Sequence, residues 1–131
     1  MTIPRIRGIG VDAVAVERME SGRLSTHVLS RLFHPHEVAQ ALVMEHGRAQ
    51  FLASRFAAKE AFVKALGTGF RGIGPSQIAV FVDDAGQPHI KLSATLLESL
   101  HLTRSVIHLS LTHEGSLALA FVIVEDVDGP R

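Results

Sequence analysis

The hydrophobic pattern of residues 48–66 predicts a long helix that ends in a glycine-rich loop. At about 100° per residue, its bulky apolar side chains gather into one arc. The arc consists of Phe51, Leu52, Phe56, Phe62, Val63 and Leu66. Arg55 and Lys59 fall inside this arc, whereas Glu60 and Lys64 share a second side that is lined by alanine. Such a helix is typical of one packed on several sides, so we expect its charged side chains to have specific partners.

A second pattern alternates with the period of a β-strand from Arg5 to Val14. It places Ile9 and Val11 on one face, and Gly8, Gly10 and Asp12 on the other. Glycine in a strand often marks the close approach of another backbone or of a ligand. Asp12 is therefore predicted to end a glycine-lined face that has room for another backbone or for a ligand.

The remaining patterns predict short helices and two hairpins. Helices are expected within 15–24, between Pro35 and Gly47, and over 93–100, with Ser93 or Thr95 as the cap. Hairpins are expected from 78–82 with 88–92, and from 105–112 with 117–125, the last segment being apolar enough for a central strand. We therefore predict a single α+β domain over residues 1–131, with an antiparallel β-sheet packed around the long central helix.

Composition narrows the class of protein. The chain has 131 residues, of which 47% are hydrophobic, with 13 basic and 13 acidic side chains. That balance argues against a nucleic-acid-binding protein, although residues 1–71 carry a charge of +4 and residues 72–131 a charge of −4. There is no cysteine, no signal-like N-terminal pattern and no apolar run of membrane-spanning length. We expect a soluble protein of the cytoplasm.

Two carboxylates differ from ordinary surface acids: Asp12 on the glycine-lined strand face and Glu60 on the alanine-lined helix side. Mg²⁺ takes oxygen ligands, often one or two carboxylates together with water and phosphate. Lys64, one helical turn from Glu60, would be ready to meet phosphate oxygens. The spacing alone equally allows a simple Glu60–Lys64 ion pair within the helix, and it does not show that Asp12 and Glu60 meet.

Taken together, these segments resemble the holo-acyl-carrier-protein synthases, which are small 4′-phosphopantetheinyl transferases. The resemblance covers nearly the whole chain: GIGVD at 8–12, RLFHPHE at 31–37, FLASRFAAKEAFVKALGTGFRGI at 51–73, IAVFVDDAGQPHIKL at 78–92 and HLSLTHEGSLALAFVI at 108–123. It implies transfer of the phosphopantetheine arm of coenzyme A to a serine of apo-acyl carrier protein, with release of adenosine 3′,5′-bisphosphate. It also implies a cytoplasmic enzyme of fatty acid biosynthesis.

The resemblance assigns roles to the site residues. Asp12 and Glu60 would hold Mg²⁺, and Lys64 would stabilise or protonate the leaving phosphate. The serine proton would go to Glu60 or to a water on the metal, and this choice stays open.

The resemblance also implies how coenzyme A and the carrier protein bind. Gly67, Thr68 and Gly69 would lie along coenzyme A, and His113 near its phosphates. Because the family forms trimers with sites between protomers, Arg55 and Lys59 would meet the 3′-phosphate or a neighbouring subunit. Arg18 and Arg23 would dock the acidic carrier protein.

Three alternatives remain open. His34, His36 and Glu37 allow a zinc site, although no further ligand with matching spacing accompanies them. The paired carboxylates would also suit a Mg²⁺-dependent nucleotide phosphohydrolase. In a non-enzymatic trimeric binding module, Glu60 and Lys64 would form only an internal ion pair.

Overall fold

The described residues form five strands and four α-helices in the order β1, α1, α2, α3, β2, β3, α4, β4, β5. The computed structural model describes residues 4–20, 22 and 24–127. The strands are β1 Pro4–Ala15, β2 Ala79–Val82, β3 Pro88–Lys91, β4 Ser105–Glu114 and β5 Leu117–Val127. The helices are α1 Thr26–Leu32, α2 Pro35–Leu42, α3 Arg48–Leu66 and α4 Ala94–Ser99.

Three strands form an antiparallel sheet in the order β1-β5-β4. As predicted, β5 is the central strand. Its alternate side chains Ala118, Ala120, Val122 and Val124 are buried on one face. Asp12 of β1 pairs with Ala120, which in turn pairs with Leu111 of β4. The sheet therefore has one inner face, and β1 and β4 lie on opposite sides of β5.

Helix α3 packs on that inner face and has the predicted bounds. Gly47 and Gly67, both in the left-handed conformation, flank its two ends. Most of its residues are buried, including the aromatic side chains Phe51, Phe56 and Phe62. This helix, apolar on most sides, is thus enclosed by the sheet on one side and by the other elements around it. The predicted α+β class is confirmed.

Strands β2 and β3 pair as the predicted hairpin, but they form a second, separate two-stranded sheet. Helix α4 follows, and its N-cap is Ser93, whose side chain accepts a hydrogen bond from the backbone N–H of Leu96 at 3.2 Å. Of the two cap residues considered, Ser93 is therefore the one used.

The N-terminal half differs from the prediction in three places. Helix α1 was not expected, although Ser25 caps it by accepting from the N–H of Val28. Helix α2 ends at Leu42, five residues before Gly47. Where a helix was expected within 15–24, the described residues contain the 3₁₀ turn Val16–Met19 instead of an α-helix. Among the described residues no helix has both the length and the apolar character that a membrane crossing requires.

Candidate active site

The glycines of β1 bring that strand against the backbone of α3. A Cβ atom added at Gly10 would lie 1.9 Å from the carbonyl oxygen of Ala61, and one at Gly8 would lie 1.8 Å from that of Ala65. Such distances are far inside van der Waals contact, so only glycine fits at either position. The backbone of α3 therefore occupies the space beside Asp12. This close contact brings β1 near enough for the Asp12 carboxylate to reach the side chains of α3.

Lys64 pairs with Asp12 and not with its helical neighbour Glu60. Its ammonium group donates to the Asp12 carboxylate at 2.9 Å and to the carbonyl oxygen of Val11 at 3.1 Å. The hydrogen bond to Asp12 and the negative charge of that group raise the pKa of Lys64. The Lys64 side chain is 53% exposed, so the site keeps a positive charge that a ligand can reach.

The Asp12 carboxylate acts electrostatically on Glu60. The pKa of Glu60 is raised, first by burial and then by the nearby Asp12 carboxylate, while Lys64 and Arg18 act in the opposite direction. Two like charges repel at short range, and a cation between them would relieve that repulsion. The structure thus brings Asp12, Glu60 and Lys64 together. The spacing of these residues in the sequence could not establish this proximity. The described residues contain no cluster of three or more histidine and acidic side chains that could hold a metal, so this donor set is a carboxylate pair.

The glycine-rich loop begins where the carboxylate site ends. The N–H of Gly67 donates to the carbonyl oxygen of Lys64 and that of Thr68 to the carbonyl oxygen of Val63, which closes the end of α3. Gly67, Gly69 and Gly72 all have positive φ, and residues 67–72 are exposed. The backbone of Gly67, Thr68 and Gly69 is therefore accessible immediately beyond Lys64.

Lys59 requires a correction, because it does not face a ligand site. Its side chain is fully buried, and its ammonium group donates to Glu37 at 2.6 Å and to the carbonyl oxygens of Pro75 and Ile78 at 2.9 and 2.5 Å. Burial lowers its pKa, and the Glu37 carboxylate acts against that effect. All its protons are used inside the chain, so the expected contact with coenzyme A or with a neighbouring subunit is wrong.

The same ion pair removes the basis for the zinc alternative. Glu37 is buried and accepts hydrogen bonds from Lys59 and from the backbone N–H groups of His34 and Val80. The His34 ring nitrogen Nδ1 accepts from the N–H of His36 at 3.1 Å. These residues form the start of helix α2, which accounts for their spacing without a metal.

Arg55 and His113 lie apart from the carboxylate pair. The Arg55 guanidinium group stacks over Phe51 at 4.2 Å and donates to Ser54 at 3.0 Å. Burial lowers its pKa, and the carboxylate that opposes this is Glu37. His113 pairs with Ala118 across the sheet, and the two strand spacings between β4 and β1 amount to about 10 Å. This single chain therefore does not gather Arg55 or His113 around Asp12.

Arg18 lies on the same side of α3 as Glu60. It is exposed, its guanidinium carbon is 6.0 Å from the Phe56 ring centre, and its charge acts on Glu60. Arg23, the other predicted docking residue, lies outside the described residues. One basic side chain of the expected pair thus stands next to the carboxylate site.

The fold and the site together define a small α+β protein with a carboxylate pair, a lysine and a glycine loop suited to a phosphate-bearing substrate. Residues 8–122 match the family model of the 4′-phosphopantetheinyl transferase superfamily. The chain belongs to this superfamily, and the resemblance seen in the sequence is confirmed.

Individual relatives agree with this assignment. The chain is 46% identical over 121 residues to the holo-[acyl-carrier-protein] synthase of Treponema denticola, covering 92% of this chain and 98% of the relative. The synthase of Nitratidesulfovibrio vulgaris is 45% identical over 126 residues, with the same coverage of both chains.

Solved structures show the same fold. The synthase from Neisseria meningitidis superposes with a TM-score of 0.82 at 32% identity, over 92% of this chain and 98% of that one. The Bacillus anthracis synthase, described as a complex with CoA (3′,5′-ADP), gives a TM-score of 0.77 at 32% identity over 92% and 97% of the two chains.

Proposed function

We propose that this protein transfers the 4′-phosphopantetheine group of coenzyme A to a serine of apo-acyl carrier protein. In this reaction the serine oxygen forms a bond to the β-phosphorus, the bond from that phosphorus to the bridging pyrophosphate oxygen breaks, and adenosine 3′,5′-bisphosphate leaves. The observation that carries the proposal is the Asp12–Lys64 contact beside Glu60, at the start of an accessible glycine loop. The chain's membership of the transferase superfamily supports it independently.

Asp12 and Glu60 would hold Mg²⁺ in this reaction. A carboxylate whose pKa is raised partly by a second carboxylate beside it, as Glu60 is by Asp12, belongs to a donor set of the kind that Mg²⁺ uses, with water and substrate phosphate completing its ligands. When bound, the metal would supply positive charge that offsets the charge developing on the transferred phosphate.

Lys64 would complement the leaving adenosine 3′,5′-bisphosphate. Its raised pKa keeps it protonated at neutral pH, and its exposed ammonium group would stabilise the leaving phosphate or protonate it. Glu60 is one candidate base for the serine proton, because a raised pKa makes its carboxylate a better acceptor. A water molecule at the site is the other.

The glycine loop would lie along coenzyme A. The backbone of Gly67, Thr68 and Gly69 is exposed beyond Lys64, and glycine lets a ligand approach within hydrogen-bonding distance. His113 and Arg55 would contact the phosphates of coenzyme A, but from a neighbouring protomer, since neither lies near Asp12 in one chain.

The sheet supports the proposal of a homotrimer. Its outer face carries Ile9, Val11, Leu117 and Phe121, which are 60%, 55%, 43% and 43% exposed. A contiguous apolar face of this kind is typical of an interaction surface. Covering it with further copies of the chain would remove these apolar side chains from water.

Arg18 is the proposed docking residue for the acidic carrier protein, together with Arg23, which follows it by five positions in the sequence. An exposed basic side chain next to Glu60 would steer an acidic partner toward the site. The proposal extends to a cytoplasmic setting and to fatty acid biosynthesis, as the resemblance implies.

Mass spectrometry of an apo-acyl carrier protein incubated with this protein, coenzyme A and Mg²⁺ tests the proposal. We expect a mass gain equal to one phosphopantetheine group, lost with EDTA and with Asp12→Asn or Glu60→Gln. Asp84→Asn, which removes an exposed acid on the β2–β3 turn, is the matched control. Release of nucleotide without modified carrier protein would point instead to the phosphohydrolase, and no reaction at all to a binding module.

A further inference from the structure

Lys59 and Glu37 form a buried ion pair that the proposed chemistry does not use. The side chains are 0% and 3% exposed, and the ammonium and carboxylate groups are 2.6 Å apart. Lys59 also donates to the carbonyl oxygens of Pro75 and Ile78. Glu37 accepts from the N–H of Val80 at 2.9 Å. The pair therefore ties α2 and α3 to the segment 75–80.

That segment is the far end of the glycine loop. Residues 67–74 leave the end of α3 and reach Pro75, where Lys59 of the same helix holds the backbone. Both ends of the loop are thus attached to α3, the first by the chain itself and the second by the Lys59 ammonium group.

Residues 67–72 of the loop are exposed and have few contacts of their own. Thr68 bonds to Val63 and Gly69, and the N–H of Gly74 donates to the side-chain oxygen of Gln77 at 2.8 Å. Its glycines allow many backbone conformations, and each ordered residue has an entropic cost. Ile73, which is 3% exposed and belongs to the core, holds the loop near its far end. The two anchored ends are the main constraint on the exposed residues 67–72.

We propose that Lys59 is a positioning residue, which together with Glu37 fixes the far end of loop 67–74 and thereby sets the affinity for coenzyme A. This inference rests on the proposed function, in which the loop lies along that substrate. A loop held in its binding shape loses little entropy when the ligand arrives. Lys59 touches no reacting atom, so its removal weakens substrate binding more than it slows the transfer step.

The double variant Lys59→Met/Glu37→Gln tests this inference. It removes both buried charges together, because a lone buried carboxylate would threaten the fold, and the amide introduced at position 37 keeps an acceptor for a backbone N–H. Asp84→Asn, which changes an exposed acid on the β2–β3 turn, is the control variant. Circular dichroism establishes that both variants fold.

Steady-state kinetics and hydrogen exchange provide the readouts. We expect the KM for coenzyme A to rise about tenfold or more in the double variant, the effect of disordering one or two residues, with kcat changed far less. Asp84→Asn should keep a near-normal KM. Without coenzyme A, amides of residues 67–74 should exchange faster in the double variant than in the control, while β5 amides stay unchanged.

Several outcomes would overturn the inference. An unchanged KM with a reduced kcat would mean that the pair only maintains the folded fraction, and unchanged loop exchange would mean that it does not anchor the loop. If the double variant fails to fold, Lys59→Gln/Glu37→Gln replaces it, because its side chain at residue 59 is one atom too short for the anchor, and the same expectations apply. Absence of transfer by the unaltered protein would refute the proposed function itself, and loop exchange would still decide whether Lys59 anchors the loop.

Discussion

Lys64 and Asp12 are 52 residues apart in the chain, yet the lysine ammonium group donates to the carboxylate at 2.9 Å. The contact joins the first strand to the long helix, and it exists because Gly8 and Gly10 let β1 lie against the α3 backbone. The single positive charge of Lys64 is thereby held next to the carboxylates of Asp12 and Glu60, and it can balance only one of their two negative charges.

Magnesium should stabilise the folded protein through the carboxylate pair. A ligand that binds only the folded state adds about 2.7 kcal/mol at a hundredfold excess over its Kd, so the Tm should rise when Mg²⁺ replaces EDTA. Differential scanning calorimetry would measure this change. Asp12→Asn should lose the response and Asp84→Asn should keep it. An equal rise in Asp12→Asn would place the metal elsewhere.

Glu60→Gln should stabilise the metal-free protein at neutral pH while it abolishes transfer. The folded state raises the pKa of Glu60, so the protein loses folding free energy as the pH rises from the ordinary pKa of this group to the raised one, and the full cost remains at higher pH. Glutamine carries no such cost. Urea unfolding in EDTA at several pH values would measure the difference in the free energy of unfolding.

The sign of this pH dependence follows from protonation. At acid pH the wild-type carboxyl is itself protonated, so the advantage of Glu60→Gln should shrink as the pH falls through the raised pKa. A difference that grows toward acid pH would contradict this account of Glu60.

Gly10→Ala should destabilise the fold by about 1–3 kcal/mol or more, as overpacking does. Its methyl group would lie 1.9 Å from the carbonyl oxygen of Ala61, so β1 must move away from α3. Gly22→Ala is the control, because nothing lies within 4 Å of an added Cβ there. Chemical denaturation of both variants is the measurement, and equal stabilities would show that β1 shifts freely.

Phe121→Glu should prevent assembly of the protein without unfolding it. Phe121 is 43% exposed at the middle of the outer sheet face, between Val11 and Ser110, and a charge there would be costly to bury in an interface. Sedimentation velocity should show a trimer for the wild type and a monomer for the variant. Phe81→Glu, at an equally exposed phenylalanine of the other sheet, should remain a trimer.

Local patterns were enough to predict much of the fold. The bounds of α3, the glycine face of β1, both hairpins and the central position of β5 all depend on periodicity and on turn residues, which act within a few positions. Helix α1 was missed because Thr26 and Val28 are β-branched and favour helices only weakly, while its Ser25 cap is a short signal. Gly47 was taken as the end of α2, but it is the N-cap of α3.

The partners of the charged side chains could not be predicted in the same way. The spacing of Glu60 and Lys64 indicates an ion pair within α3, but Lys64 finds Asp12 across a tertiary contact. Lys59 lies inside the apolar arc of α3, and this position indicated that its side chain would be buried. Its partner Glu37 is 22 residues away, and no spacing rule identifies a partner at that distance. The resemblance assigned Lys59 to a ligand, and only the packing corrected it.

The contact of β1 with α3 makes the geometry of the active site and the stability of the fold depend on the same two elements. The strand that carries Asp12 and the helix that carries Glu60 are also the two elements whose backbones touch at Gly8 and Gly10 in the interior. Because their backbones are in direct contact at these glycines, neither element can move far while the other stays in place. Loss of catalytic competence on heating should therefore coincide with loss of the native fold, and no inactive but folded form should accumulate on the way.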